Sequence, residues 1–261
     1  MAAPAAAGAL AYLNARTQFW YDTLLVNCDV KGKGRILWGL LRDRLNLFYL
    51  LESRATSWST ANKVFFWFEN QIWTYAQTYD SVLRYGAWLR KELGVKPGDI
   101  VAVNSQNSNQ FVFLWLGLWS IGAKPAFMNY NLTGAPLAHC LKTANTKLCI
   151  VDPNVAHNVG ADTRKELAYI RFVDFTAELE AKVLATAPER APDSTRAGTQ
   201  FHEMSSIVFT SGTTGMPKPG IVSWGKCYIG GTYASTLMGR GSDIMYTVST
   251  PSQAIVCRRS M

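Results

Sequence analysis

From residue 64 onwards, short apolar segments alternate with longer segments whose apolar residues recur at helical spacing. A short apolar run is typical of a buried strand, and apolar residues three and four positions apart are typical of an amphipathic helix. Strands and helices that alternate in this way form layers, with a mostly parallel sheet between helices, so the predicted fold class is α/β. The pattern predicts a hairpin of strands over 64–68 and 71–73, further strands over 100–103, 124–128, 147–151, 169–173 and 207–209, and helices over 74–93, 107–121 and 133–144.

Turn signals separate these predicted elements. Gly94 follows the helix over 74–93 and suits a left-handed helix cap, and Gly122 ends the helix over 107–121. Residues 186–201 are rich in Pro, Arg, Asp, Ser, Thr and Gly. We expect them to form an exposed connection that leads to the strand over 207–209.

Residues 1–60 differ from this regular region and form a predicted helical N-terminal segment, with helices over 15–26 and 36–51. Trp38 and the basic residues before it suit a helix that lies in a membrane interface. A helix packed on the following domain explains the same apolar stripe equally well. The charged run 42–44 lies inside the stripe, so the segment is not expected to span a bilayer.

Composition restricts the function classes. The net charge is +8, yet Lys and Arg are scattered and form no dense block, which disfavours a nucleic-acid-binding protein. Anionic small ligands and an anionic membrane surface both fit this charge. The five cysteines are odd in number and show no metal or redox spacing. Reduced thiols in a core are expected, which indicates an intracellular compartment.

The most informative stretch follows the predicted strand over 207–209. Glycines there let the backbone approach an anion, hydroxyl groups add donors, and a lysine between two prolines adds a positive charge. These features predict a cradle for phosphates, although a surface turn rich in Ser, Gly and Pro is the alternative. The loop is no Walker A motif, because two residues separate its last glycine from the lysine. The predicted binding residues are Thr210, Ser211, Gly212, Thr213, Thr214, Gly215 and Lys218.

Residues 210–218 resemble the phosphate-binding signature of the acyl-adenylate-forming superfamily, which includes acyl-CoA synthetases, peptide synthetase adenylation domains and luciferases. Pro219 and the Gly-Ile-Val that follows it look more like the branch of fatty-acid transport proteins and very-long-chain acyl-CoA synthetases. The resemblance covers about residues 60–248. Further segments that resemble this branch, in chain order, are 73–75, 94–99, 107–108, 115–118, 121–123, 129–132 and 137–141.

The resemblance implies a domain organisation and a chemistry. It divides the chain into the N-terminal segment over 1–60, a partial AMP-binding domain over 61–248 and a tail over 249–261 that does not match. Family members activate a long-chain fatty acid with ATP and Mg²⁺ to an acyl-adenylate, and CoA then displaces AMP. The family's adenine pocket, acidic groups and C-terminal lysine have no counterpart here, so a truncated form without activity of its own is expected.

Two functional interpretations remain open on these residues. The first is a fatty acid–CoA ligase, peripheral to an intracellular membrane such as endoplasmic reticulum, peroxisome or lipid droplet by resemblance. The second is a non-catalytic, membrane-associated fragment that binds nucleotide or a partner. We assign no catalytic residue and no metal ligand, because His139, His157 and His202 lie apart from any nucleophile or ligand cluster in the sequence.

Overall fold

The computed structural model describes residues 2–210 and 216–237. Its strands form a two-stranded hairpin and a six-stranded sheet. Two short 3₁₀ helices, Pro153–Val159 and Asp193–Thr195, lie in connections. The helices are α1 Ala2–Thr17, α2 Phe19–Leu41, α3 Phe48–Ala55, α4 Tyr75–Lys91, α5 Asn109–Ser120, α6 Gly134–Thr143, α7 Ala161–Glu166, α8 Ala177–Ala185 and α9 Trp224–Leu237. The strands are β1 Val64–Phe68, β2 Gln71–Thr74, β3 Ile100–Asn104, β4 Lys124–Phe127, β5 Leu148–Val151, β6 Arg171–Asp174, β7 Met204–Thr210 and β8 Lys218–Ser223.

The large sheet has the strand order β6-β5-β3-β4-β7-β8. All neighbours pair in parallel except β7 and β8, which are antiparallel. The chain runs from β3 through α5 to β4, and then crosses back past β3 through α6 to β5. Because right-handed crossovers in opposite directions place helices on opposite faces, the sheet is covered on both sides. The predicted α/β class with a mostly parallel sheet is confirmed.

Each face of the sheet has its own apolar core. One core contains Tyr85 and Trp88 of α4 with Phe111, Leu114 and Leu118 of α5. The other contains the inward side of α6, with Leu137 and Leu141 fully buried, and Leu167, which directly follows α7. All four residues of β5 are buried, as expected for a strand between two helical layers.

Helix α4 shows how local sequence sets an element boundary. The Thr74 side chain accepts a hydrogen bond from the Gln77 N–H at 3.2 Å, and the Gln77 side chain accepts one from the Thr74 N–H at 2.9 Å. This reciprocal capping box satisfies two backbone donors of the first turn. After the helix, Gly94 has a φ of +69°, the left-handed conformation that the sequence predicts there.

The N-terminal helices differ from the prediction. The single helix expected over 36–51 is wrong, because α2 ends at Leu41 and α3 begins only at Phe48. Asp43 takes a φ of +51°, and the Arg44 N–H donates to the Gly39 carbonyl at 2.7 Å, which folds the chain back. The helix expected over 15–26 is likewise divided between α1 and α2, where Gln18 has a φ of +55°.

The apolar residues after this turn pack into the domain. Leu45, Phe48 and Leu51 are buried together with Trp119 and Trp224. The alternative of packing against the domain is therefore correct for residues 45–51. No helix among residues 2–210 and 216–237 is long and apolar enough to cross a membrane.

The connection over 186–201 is mostly exposed, as predicted, but Ala191 and Arg196 are buried and anchor it. Arg196 is 2% exposed and its guanidinium donates to the carbonyls of Ser120 and Ala191. The guanidinium also lies 3.2 Å from the Asp193 carboxylate and 4.6 Å from the centre of the Phe48 ring. The connection is thereby fixed to the end of α5 and to α3.

A second arginine extends this anchor to the helices. Arg190 bridges Asp193 at 2.6 Å and Glu52 of α3 at 2.5 Å, and Tyr79 donates to the same Glu52 carboxylate at 2.7 Å. Burial acts to raise the pKa of Glu52, but the hydrogen bonds from Arg190 and Tyr79 hold that pKa below its ordinary value. The carboxylate is thus kept ionised as the partner of Arg190.

The cysteines of the described residues are free thiols. Cys140, Cys149 and Cys227 lie in apolar surroundings of the sequence, and the first two are buried, as expected for core thiols, while Cys227 is only partly buried. Cys28 is buried as well. Burial raises the pKa of Cys140 to about 11 and that of Cys149 to about 12. Because the thiolate is the reactive form, burial makes these two side chains poor nucleophiles.

Candidate phosphate-binding site

The predicted phosphate cradle follows β7 at the carboxyl edge of the parallel strands. Strand β7 pairs with β4 in parallel, with Ala126 opposite Ile207 and Phe127 opposite Val208. The end of β7 at Thr210 therefore lies at the same edge of the sheet as the ends of β3, β4 and β5. Ligands of open α/β sheets bind at this edge.

The alternation of side chains along β7 holds it firmly in the sheet. Ile207 and Phe209 are buried in the core that contains α6, and Val208 packs against the core that contains α4 and α5. Apolar contact on both faces fixes the direction in which Thr210 leaves the sheet.

Thr210 and Lys218 face each other across the mouth of the loop. They are partners in the β7–β8 register, and the Thr210 hydroxyl lies 3.5 Å from the Lys218 carbonyl. Both residues are exposed, while Pro217 is buried. The Lys218 ammonium takes part in none of the ion pairs formed among residues 2–210 and 216–237. No carboxylate of these residues therefore neutralises its charge.

The other predicted binding residues, Ser211, Gly212, Thr213, Thr214 and Gly215, lie outside the described residues. The structure thus places the two ends of the cradle. The role of all seven residues in binding phosphate remains a prediction.

Strand β8 was not expected from the sequence. Pro219 has no N–H to donate, which argues against a strand in the middle of a sheet. Among the described strands, however, β8 lies at the edge and pairs only with β7, and an edge strand tolerates proline. Gly220 suits the close pairing, because a Cβ there would lie 3.2 Å from the Val208 carbonyl oxygen, closer than most Cβ contacts. The glycine and proline of this stretch therefore belong to a hairpin that supports the loop.

Sequence reasoning also missed a polar cluster at the same edge of the sheet. The Asp152 carboxylate accepts hydrogen bonds from the Asn154 N–H at 2.9 Å and the Gln106 N–H at 3.2 Å, and the Ser105 hydroxyl lies at 3.3 Å. Asp152 was predicted only as part of a turn. It also joins the loops after β3 and β5, and no local pattern signals a contact between residues 46 positions apart.

The histidines do not gather into a reactive or metal-binding group. Within residues 2–210 and 216–237, no three side chains of His, Cys, Asp or Glu lie close enough to hold a metal ion. Glu52 accepts hydrogen bonds from Arg190 and Tyr79, and Asp152 accepts them from backbone N–H groups.

The mostly parallel α/β sheet, with Thr210 and Lys218 at its carboxyl edge, defines the class of open α/β domains that bind ligands at that edge. Residues 51–250 match the family of AMP-binding enzymes. The chain belongs to this family. The predicted resemblance to adenylate-forming enzymes is confirmed.

Curated relatives agree with the predicted branch. The very long-chain fatty acid transport protein of Saccharomyces cerevisiae is 36% identical over 171 residues, which are 62% of this chain and 26% of that protein. Long-chain fatty acid transport protein 1 of Mus musculus is 34% identical over 188 residues, which are 67% of this chain and 28% of that protein. The chain thus spans about a quarter of the length of these two relatives.

Solved structures show the same fold. The anthranilate CoA ligase AuaEII in complex with anthranoyl-AMP has a TM-score of 0.60 at 19% identity, over 70% of this chain and 34% of that one. The o-succinylbenzoate CoA synthetase of Bacillus subtilis, in complex with its acyl-adenylate intermediate, has a TM-score of 0.59 at 20% identity, over 72% and 46% of the two chains. Ligases of this family use ATP and CoA and pass through an acyl-adenylate.

Proposed function

We propose that this chain supplies the phosphate-binding part of an ATP-dependent fatty acid–CoA ligase. The observation that carries the proposal is the β7–β8 hairpin, which sets Thr210 and Lys218 on either side of the 211–215 loop at the carboxyl edge of the sheet. The names of the relatives, which are transport proteins for long-chain and very long-chain fatty acids, support a fatty acid as the substrate.

In this proposal the residues of the cradle bind and orient ATP. Lys218 and the donors of the loop hold the β- and γ-phosphates. The fatty acid carboxylate attacks the α-phosphorus, pyrophosphate leaves, and the CoA thiol then displaces AMP to give acyl-CoA. Positioning and stabilisation of charge account for most of the rate in such phosphorus chemistry.

Magnesium is part of the proposal only through the ATP that it accompanies. Mg²⁺ prefers carboxylate and water oxygens in octahedral geometry, and the described residues bring no such group of acidic side chains together. No step is therefore assigned to the ion here.

A second candidate function is a non-catalytic part that binds nucleotide or a partner. The observation that favours it is the exposed Lys218 at the end of the β7–β8 pair, which suits binding of an anion with no further catalytic group. Both candidates share the phosphate cradle, and both place the protein inside the cell at a membrane surface. An assay of turnover separates them.

Lys218→Ala should weaken binding of ATP and of inorganic tripolyphosphate by roughly 10- to 100-fold. A charge-assisted hydrogen bond contributes about 1.5–3 kcal/mol, and each 1.4 kcal/mol is about tenfold in affinity. Equilibrium dialysis of the 261-residue chain measures both ligands. Starting affinities of about millimolar are expected, because association itself costs several kcal/mol.

Lys226→Ala is the matched control, since Lys226 is an exposed lysine nearby whose ammonium bonds the Ile221 carbonyl at 2.9 Å. Its affinity for both ligands should equal that of the wild type. Equal losses in the two variants would indicate binding through net charge alone and would remove the special role of Lys218.

A polypeptide of these 261 residues should form no acyl-CoA from a long-chain acid, ATP, Mg²⁺ and CoA. The proposed cradle binds only the phosphate end of ATP. The resemblance implies that the adenine pocket and the C-terminal lysine of the family are not among these residues. Pyrophosphate release and acyl-CoA formation are the measurements. Extension with the downstream sequence of a relative should give turnover, and an inactive extended protein would favour the binding role.

A further inference from the structure

A cleft of about 470 Å³ opens between helices α4 and α8 and strand β6, and we call it the α4–α8 cleft. Its volume lies within the range of about 300–1,000 Å³ that is usual for sites of small ligands. Arg171, which lines the cleft, is the first residue of β6 and pairs with Leu148, the first residue of β5. The cleft therefore reaches the amino end of the parallel strands, whereas the phosphate cradle lies at their carboxyl edge.

The floor of the cleft is apolar and firmly packed. Four side chains form it, namely Trp88 of α4, Leu93, Val173 of β6 and Leu179 of α8. Trp88 is 3% exposed, and its ring meets that of Phe175 edge-on with the centroids 5.5 Å apart. The other three pack against the same core but are only partly buried. They leave apolar surface that a ligand would cover, and such burial is favourable.

Charged side chains border this floor, and two of the three are cationic. They are Arg171, Lys182 and Glu92. All three are exposed, and none takes part in an ion pair within the ranges 2–210 and 216–237. Glu178 lies one turn before Lys182 on α8, at a spacing that allows an ion pair, yet it is not among these pairs either. The border of the cleft therefore has an excess of cationic groups without an acidic partner.

We propose that the α4–α8 cleft binds an amphipathic carboxylate, with its apolar part on the floor and its carboxylate at Arg171 and Lys182. Guanidinium and ammonium groups form charge-assisted hydrogen bonds with carboxylates, which are stronger than neutral ones. A polyphosphate has no apolar part to cover the floor, and a cationic amphiphile meets two like charges. The site is a second one, separate from the phosphate cradle.

The test is a calorimetric titration of the 261-residue chain with laurate, at concentrations where laurate forms no micelles. Dodecyltrimethylammonium has a chain of the same length with the opposite charge, and acetate has the carboxylate without the chain. Laurate should bind at one site, and each of the other two should bind at least about 10-fold more weakly, because each lacks one of the two contributions. A wild type that binds no laurate, or binds the cationic amphiphile equally well, overturns the proposal.

Two variants locate the binding in the cleft. Arg171→Gln combined with Lys182→Gln should weaken laurate binding by about 10-fold, because two exposed charges that face the carboxylate are lost. Thr186→Phe should weaken it by roughly 10-fold as well, because Thr186 lines the cleft and a ring there takes the space of the apolar chain. Undiminished binding by both variants contradicts the proposal.

The matched control removes one arginine and one lysine from other elements. Arg54 of α3 and Lys165 of α7 are exposed, and neither belongs to the ion pairs of the described ranges. Arg54→Gln combined with Lys165→Gln should leave laurate binding at the wild-type level. A loss equal to that of the Arg171/Lys182 variant would show that laurate responds to net charge alone, which overturns the proposal.

Competition separates this proposal from the proposed function. Tripolyphosphate should not displace laurate, because the two sites lie at opposite ends of the parallel strands. Displacement would place laurate at the phosphate cradle and contradict the second site. A wild type that binds laurate in the cleft but no tripolyphosphate would contradict the ligase proposal and leave the cleft as a binding site.

Discussion

Gly122→Ala should lower the free energy of unfolding by about 2–5 kcal/mol, since two costs add. Gly122 has a φ of +78°, and a left-handed conformation costs a non-glycine residue about 1–2 kcal/mol. An alanine Cβ would also lie 1.9 Å from the Thr195 carbonyl oxygen, and relief of such an overlap by backbone shifts costs about 1–3 kcal/mol. Urea unfolding followed by circular dichroism measures the change.

Gly94→Ala is the control that separates these two costs. Gly94 has a φ of +69°, but an alanine Cβ at this position would have no neighbouring atom within 4 Å. This variant should lose only the conformational part, about 1–2 kcal/mol. If both variants lost the same amount, the 186–201 connection would not be packed against Gly122.

Arg196→Ala should lower the free energy of unfolding by about 2–6 kcal/mol, because it removes a donor from two buried backbone carbonyls. Arg196 has no exposed side-chain surface, and it satisfies two backbone carbonyls as well as Asp193. Each buried acceptor left without a donor costs about 1–3 kcal/mol. The same urea titration measures the loss.

Arg44→Ala is the matched variant, because Arg44 approaches the same Asp193 at 3.5 Å with half of its side chain exposed. Exposed ion pairs contribute about 0–1 kcal/mol, so this change should be nearly neutral. Arg196→Lys should restore only part of the stability, since an ammonium lacks the planar fork that reaches several acceptors. Similar losses for Arg44→Ala and Arg196→Ala would show that burial of Arg196 contributes nothing.

Both stability predictions concern the connection that leads into β7. Thr195 and Arg196 fix this connection to the turn after α5, and β7 begins at Met204 and ends at the phosphate loop. Loss of the anchor should therefore weaken tripolyphosphate binding as well as folding. The candidate site depends in this way on residues that bind no phosphate.

Much of the candidate site could be predicted from local sequence. An apolar strand followed by hydroxyl residues, two glycines and a lysine signals a phosphate loop within nine residues, 210–218. The hairpin partner β8 escaped prediction because Pro219 argues against a strand in general, and only the edge position of β8 makes it acceptable. Asp152 escaped for a different reason, since its partners lie on a loop that is distant in sequence.

The sequence by itself determined the α/β class, most helices and strands after residue 64, and the family, because periodicity and motif are local properties of the chain. Tertiary structure alone decided three further points. It gave the strand order, it buried Arg196 in a stretch of loop-like composition, and it showed which face of α2 is covered. These points depend on contacts between residues that are distant in the sequence, such as Arg196 and Ser120, which are 76 residues apart. A local sequence pattern cannot predict such contacts, because it contains only one of the two partners.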